Sequence, residues 1–197
     1  MRFKIFGTEI YLSFLFLGLI TIMLATDKTG FMLPTIFAVV MHETAHLFAM
    51  WLLDCSPKRI KLIPASVQIS TSFSKGYKND ILVSLSGPVI NLVLFGTLYY
   101  NYLCFENQAT INFALINLVF GIFNLLPVKG LDGGTVLLSI LCKFMNIDRA
   151  VLIVRASTAI IASAIIMLAI MLTVGGKMNL SLYIIGIYLF IMCLMKM

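Results

Sequence analysis

The sequence predicts an all-α polytopic membrane protein, with about six transmembrane helices and a short β-hairpin near residues 59–70. Three observations predict it. First, 61% of the 197 residues are hydrophobic and only 11% are charged, with a mean hydropathy of +1.05; a soluble domain is nearer half apolar and about a quarter charged. Second, the apolar residues gather in six runs. Third, the basic residues fall in alternate connections between those runs.

The runs cover roughly 10–26, 31–53, 81–100, 108–126, 150–174 and 180–195. Most approach the twenty or so residues that a bilayer core requires. The fourth is short and leads into Asn124 and Pro127, so it is expected to end inside the protein. The first follows Met1-Arg2-Phe3-Lys4 and has no small-residue cleavage site after it, so it reads as a retained span. Residues 1–197 are expected to form a single membrane domain.

With the N-terminus in the cytoplasm, six crossings return the C-terminus to the same side. Arg2, Lys4, Lys58, Arg59, Lys61, Lys75, Lys78, Lys129, Lys143, Arg149, Arg155 and Lys196 then face the cytoplasm, and only Lys28 and Lys177 face the other side. Such a bias is what the positive-inside rule describes. It also accounts for the net charge of +6 without a nucleic-acid partner. The four cysteines, Cys55, Cys104, Cys142 and Cys193, have no CxxC spacing and read as apolar fillers. Between Asp54 and Asp80 lies the longest polar link. Its residues 59–63 and 66–70 are β-branched and partly alternating, and Pro64-Ala65 separates them, so two short strands are expected.

The second run contains His42-Glu43-Thr44-Ala45-His46, and the chain has no other histidine. Four residues are about one helical turn, so both imidazoles lie on one face of a helix. That spacing suits two nitrogen ligands of one zinc ion, and a glutamate after the first histidine is where a metalloprotease places its general base. Charge inside a membrane run is costly and points to function. The predicted topology puts His46 about 10 Å from the cytoplasmic end of its span, at 1.5 Å of rise per residue.

A catalytic zinc usually has three protein ligands. Of the eight acidic residues, Glu9, Asp27, Asp54, Asp80, Glu106 and Asp148 lie in loops or at the ends of runs. Glu43 and Asp132 remain. Asp132 sits in an irregular stretch marked by Asn124, Pro127, Gly130, Gly133 and Gly134. Irregular backbone at membrane depth is tolerated where it is buried in protein or lines a cavity. Asp132 is therefore the expected third ligand, against the plainer alternative of a solvated turn with Asp132 capping the next helix. In the third run, Gly87-Pro88 and Asn91 read either as a kinked packing element or as part of the site, with the Asn91 amide turned towards a partner in the bundle.

Taken together, His42-Glu43-xx-His46, Gly87-Pro88-xx-Asn91, and Asn124-xx-Pro127 followed by Leu131-Asp132-Gly133 resemble the site-2 protease family of intramembrane metalloproteases. The likeness spans nearly the whole chain. It looks most like the branch of stage IV sporulation protein FB, without the CBS domain that follows the last span there and without room for a PDZ domain. The resemblance implies hydrolysis of a peptide bond in or near a transmembrane segment, with a transmembrane protein as substrate and membrane-protein regulators as partners. It implies Zn2+, one per chain, held by His42, His46 and Asp132, with Glu43 as general base. Asn124 would either donate to the oxyanion or position the substrate backbone, and Gly87, Pro88, Asn91, Pro127 and Gly133 would bind substrate or shape the site. Gly121, Gly130, Gly133 and Gly134 would lend either flexibility or close packing. The strands near 59–70 would be either a plain cytoplasmic hairpin or an edge that pairs with unwound substrate.

Three other readings compete. A zinc-binding or zinc-transporting membrane protein has no need of a glutamate after His42 and would line an ion path with several polar groups. The last two runs offer only Ser157, Thr158, Ser163 and Thr173. Prenyl-protein endoproteases also use HExxH, but their third ligand is usually glutamate, and no glutamate follows Glu106. An inactive relative acting as a binding partner would not need every motif residue present here.

Overall fold

The structure is a computed structural model and describes residues 2–5, 8–12, 21–22, 24–55, 57–63, 66–71, 76–176 and 179–194. Its helices are α1 (Met32–Leu52), α2 (Tyr77–Phe105), α3 (Gln108–Asn124), α4 (Asp132–Leu141), α5 (Ile147–Val174) and α6 (Leu180–Leu194). By length and composition α1, α2 and α5 can cross a membrane, at 21, 29 and 28 residues, while α3, α4 and α6 are shorter apolar helices. The protein is thus a helical membrane protein. The helix α4 is not among the six apolar runs; at 10 residues it is too short to show as a span.

Among the described residues, four strands accompany the helices: β1 (Arg2–Ile5), β2 (Thr8–Leu12), β3 (Pro57–Ile63) and β4 (Ser66–Thr71). They form one sheet in the order β1-β2-β3-β4. The outer pairs are antiparallel, whereas β2 and β3 run parallel, with Glu9 opposite Arg59. One expectation changes here and another is sharpened. The first apolar run does not begin a span at residue 10, because residues 8–12 belong to β2; residues 21–22 and 24–26 are helical, and the rest of that run lies outside the described residues. Residues 59–63 and 66–70 lie in the antiparallel pair β3 and β4; β2 covers β3 on the side away from β4, and β4 is the strand at that end of the sheet. Parallel pairing joins strands that are distant in sequence, so local pattern does not reveal it.

The chain divides into two compact units, Met1–Phe123 and Asn124–Met197. In the first, the buried residues of α1 are Ala38, His42, His46 and Met50, one per turn along one face. Those of α2 are Ser84, Gly87, Pro88 and Asn91. Large apolar side chains such as Phe37, Phe48, Trp51, Leu82 and Val93 point outward instead. Small and polar residues inside with large apolar ones outside is the arrangement of helices packed in lipid.

Asp27 starts α1. Its Oδ2 accepts the Met32 N–H at 2.9 Å, and its Oδ1 accepts the Thr29 hydroxyl at 2.7 Å and the N–H groups of Thr29 and Gly30 at 2.9 and 3.1 Å. Gly30 has φ +73°, in the left-handed region where glycine is at ease. The Thr29 hydroxyl, and after it the Met32, Thr29 and Gly30 amides, hold the Asp27 carboxyl below the usual aspartate range. A carboxyl whose pKa is lower folded than unfolded stabilises above its unfolded pKa and stops doing so as pH falls through the folded one. Hydrogen-exchange protection of the Thr29, Gly30 and Met32 amides is therefore expected to persist from neutral pH through the range of an ordinary aspartate. It is expected to fall only at lower pH. Loss of protection at a higher pH than an ordinary aspartate titrates would contradict this account.

The second unit packs α5 and α6 around Val128, Ala162 and Leu189. Gly186 allows the close approach, because a Cβ there would lie 2.6 Å from Ile166 Cγ1. Two adjacent hydroxyls of α5 hold the turn ahead of α4. Ser157 Oγ donates to Pro127 O at 2.6 Å, and Thr158 Oγ1 accepts the Lys129 N–H at 2.8 Å.

Candidate metal centre

The two histidines of α1 are buried, and their rings meet edge to face with centroids 4.7 Å apart. The Nε2 atoms of His42 and His46 are 3.1 Å apart. Their Nδ1 atoms point away towards α2. The His42 Nδ1–H donates to Asn91 Oδ1 at 2.7 Å. That of His46 donates to Val83 O at 2.7 Å, with Ser86 Oγ 3.2 Å away. The Ser86 hydroxyl itself donates to Val83 O at 2.7 Å, which leaves its oxygen turned to accept from His46.

Acceptors at both Nδ1 positions keep the protons there and leave the Nε2 lone pairs for a ligand. The two Nε2 atoms, 3.1 Å apart, are placed to share one cation. Zinc–nitrogen bonds of about 2.0–2.1 Å at a tetrahedral angle hold their nitrogens about 3.3 Å apart. The donor pair therefore fits a single zinc ion.

Helix α2 approaches this pair through Gly87. A Cβ there would lie 2.5 Å from His46 Nε2 and 2.7 Å from both Cε1 and Nε2 of His42. Pro88, next to it, is buried and lies within the continuous helix. Phe120 of α3 packs its ring against His42, with centroids 5.0 Å apart. Glu43 is half-buried, one residue beyond His42.

In the second unit Asn124, the last residue of α3, is buried. The turn from Leu125 to Leu131 leads to Asp132, the half-buried first residue of α4. Leu131 is the cap residue, and it makes no side-chain cap hydrogen bond. Gly133 and Gly134 let the turn fold back over the start of α4. A Cβ on Gly133 would strike the carbonyl groups of Leu125 and Leu126, and one on Gly134 that of Val128. Gly130, at φ +89°, lies against Met192. Within the first unit, His42 and His46 each offer one ligand atom to a metal ion.

Sequence reasoning missed Ser86, the Val83 carbonyl, Phe120 and Asn117. Asn117 is fully buried, and its Oδ1 accepts a hydrogen from Asn91 Nδ2 at 3.0 Å. An amide inside an apolar run was a usable signal, since a buried amide needs a partner.

No family model matches the sequence. A solved structure, the site-2 protease from Methanocaldococcus jannaschii, superposes with a TM-score of 0.72 over 98% of this chain and 93% of that one, at 21% identity. The chain has the site-2 protease fold. Among curated proteins, zinc metalloprotease MJ0392 of the same organism is 24% identical over 202 residues, or 96% of this chain. The chain spans 57% of the length of that relative. The structural likeness shows the fold, the curated relative is named a zinc metalloprotease, and the histidine pair on α1 suits zinc as a cofactor.

Proposed function

We propose that this chain is a zinc-dependent intramembrane endopeptidase of the site-2 protease type. It hydrolyses a peptide bond within or near a transmembrane segment of a membrane-protein substrate, as in regulated intramembrane proteolysis. The observation that carries this reading is the His42–His46 pair, with Nε2 atoms 3.1 Å apart and both Nδ1 atoms held by acceptors on α2. The likeness to a zinc metalloprotease and to a site-2 protease supports it.

In this reading His42, His46 and Asp132 hold one Zn2+. When bound, that ion would supply Lewis acidity that lowers the pKa of an attacking water towards about 7. The Glu43 carboxylate takes the water's proton and returns it to the amine nitrogen as the C–N bond breaks. The Asn124 amide donates to the scissile carbonyl oxygen as charge develops there. The proposed topology is multi-pass in the cell membrane, with six crossings, both termini cytoplasmic and the site towards the cytoplasmic face. Residues 1–197 then act as one domain. A site near that face reduces the cost of exposing unpaired substrate backbone to lipid, several kcal/mol per group.

Metal analysis with a cleavage assay tests the reading. The purified protein is expected to hold one zinc per chain. Chelation should stop cleavage of a single-span membrane substrate, and zinc should restore it. Asp132→Ala is expected to lower bound zinc and abolish cleavage together. Unchanged zinc content in that variant would remove Asp132 from the ligand set, and cleavage that survives full zinc removal would overturn the proposal.

A further inference from the structure

We infer that Asn117 of α3 is a positioning residue for the metal centre. Through Asn91 it fixes which nitrogen of His42 carries the proton. The inference rests on the zinc reading above and deepens it.

Asn117 and Asn91 are both fully buried, and each makes specific bonds. Asn117 Nδ2 donates to Phe113 O, one turn earlier on α3, at 3.0 Å. This turns its Oδ1 towards α2, where it accepts from Asn91 Nδ2 at 3.0 Å. Asn91 Nδ2 also donates to Ala38 O at 3.2 Å. Both N–H groups of Asn91 then face acceptors, and its Oδ1 faces His42 Nδ1 at 2.7 Å. Gly121, one turn beyond Asn117, brings α3 close enough for this, because a Cβ there would lie 3.2 Å from Asn91 Cβ.

The direction of the Asn91 amide decides the chemistry of His42. As placed, the amide oxygen takes the Nδ1 proton and leaves Nε2 as a lone-pair donor. With the amide reversed, its NH2 would face Nδ1 and the proton would move to Nε2, where it blocks ligation. Reversal would also set the Asn91 oxygen against two acceptors, Ala38 O and Asn117 Oδ1. The Ala38 carbonyl belongs to α1 itself, so Asn117 is the acceptor that a neighbouring helix contributes. Its loss would leave a buried N–H of Asn91 without that acceptor and weaken the preference. His46 needs no such relay, because a main-chain carbonyl already receives its Nδ1 proton.

The test compares wild type, Asn117→Leu and Asn117→Asp in the full chain. Only two imidazoles are present, so long-range 15N spectra of the metal-free protein read each tautomer directly. Wild type is expected to carry both protons at Nδ1. Asn117→Leu, which has similar volume and no acceptor, is expected to show His42 partly protonated at Nε2. Its zinc affinity should fall tenfold or more, in the 10–100-fold range usual for residues that orient a metal ligand. Its Co2+ absorption spectrum should change as well. Asn117→Asp keeps an acceptor oxygen and should restore tautomer, affinity and spectrum. A purely structural Asn117 would lower the melting temperature and leave all three unchanged, which would overturn the inference. So would a wild-type His42 protonated at Nε2, a measurement that holds even if Asn117→Leu does not fold. Absence of zinc binding by wild type would instead refute the zinc reading, and the tautomer spectra would still test the relay.

Discussion

Glu43→Gln is expected to leave zinc bound while cutting peptide hydrolysis by about 10²–10⁴-fold, the usual contribution of a positioned general base. Glutamine keeps the size and shape of the side chain and removes only its ability to take a proton. The ligand atoms proposed here come from His42, His46 and Asp132, so the metal should not notice the change. The measurement is zinc content of the purified variant together with its rate on a single-span membrane substrate. Cleavage at the wild-type rate would end the general-base assignment. Loss of zinc would move Glu43 into the ligand set.

Gly87→Ala is expected to abolish zinc binding and, with it, cleavage. The added methyl would lie 2.5 Å from His46 Nε2 and 2.7 Å from His42 Nε2. Ordinarily a side chain can yield to such an intrusion. Here each imidazole is tied through Nδ1, His42 to Asn91 and His46 to Val83, and retreat would break those bonds. Gly96→Ala provides the control. It is the same substitution on the same helix, at a position where a Cβ would meet nothing within 4 Å. That change should leave zinc affinity intact and favour the helix by up to about 1 kcal/mol. Equal zinc affinity in the two variants would show that Gly87 is not required for close approach to the histidines.

Much of this was legible in the residues. His42 and His46 stood out because helical spacing puts them on one face, and Glu43 because a charge inside an apolar run demands a reason. Asp132 was put forward as third ligand because six of the eight acids lay in loops or at the ends of runs, and the zinc content of Asp132→Ala tests that role. Other features depend on contacts between distant parts of the chain. Asn91 was visible as a polar residue in a span, but its bond to His42, 49 residues earlier, was not. Asn117 lay in an apolar run with no motif around it. The strand β2 was absorbed into the first apolar run, because a few apolar residues before a long apolar stretch fit either structure. Its parallel partner is some fifty residues away, Glu9 against Arg59.

The two histidine anchors differ in kind, and the difference bears on how the centre tolerates mutation. His42 is held by the side chain of Asn91, and His46 by the main-chain carbonyl of Val83. A single codon change can delete an amide side chain. No codon change deletes a carbonyl, since every residue at position 83 carries one. The partner of His42 is thus exposed to one-step genetic loss, whereas that of His46 is lost only if α2 itself moves. Of two ligands that look equivalent in the motif, one is heritably fragile and the other is buffered by the backbone.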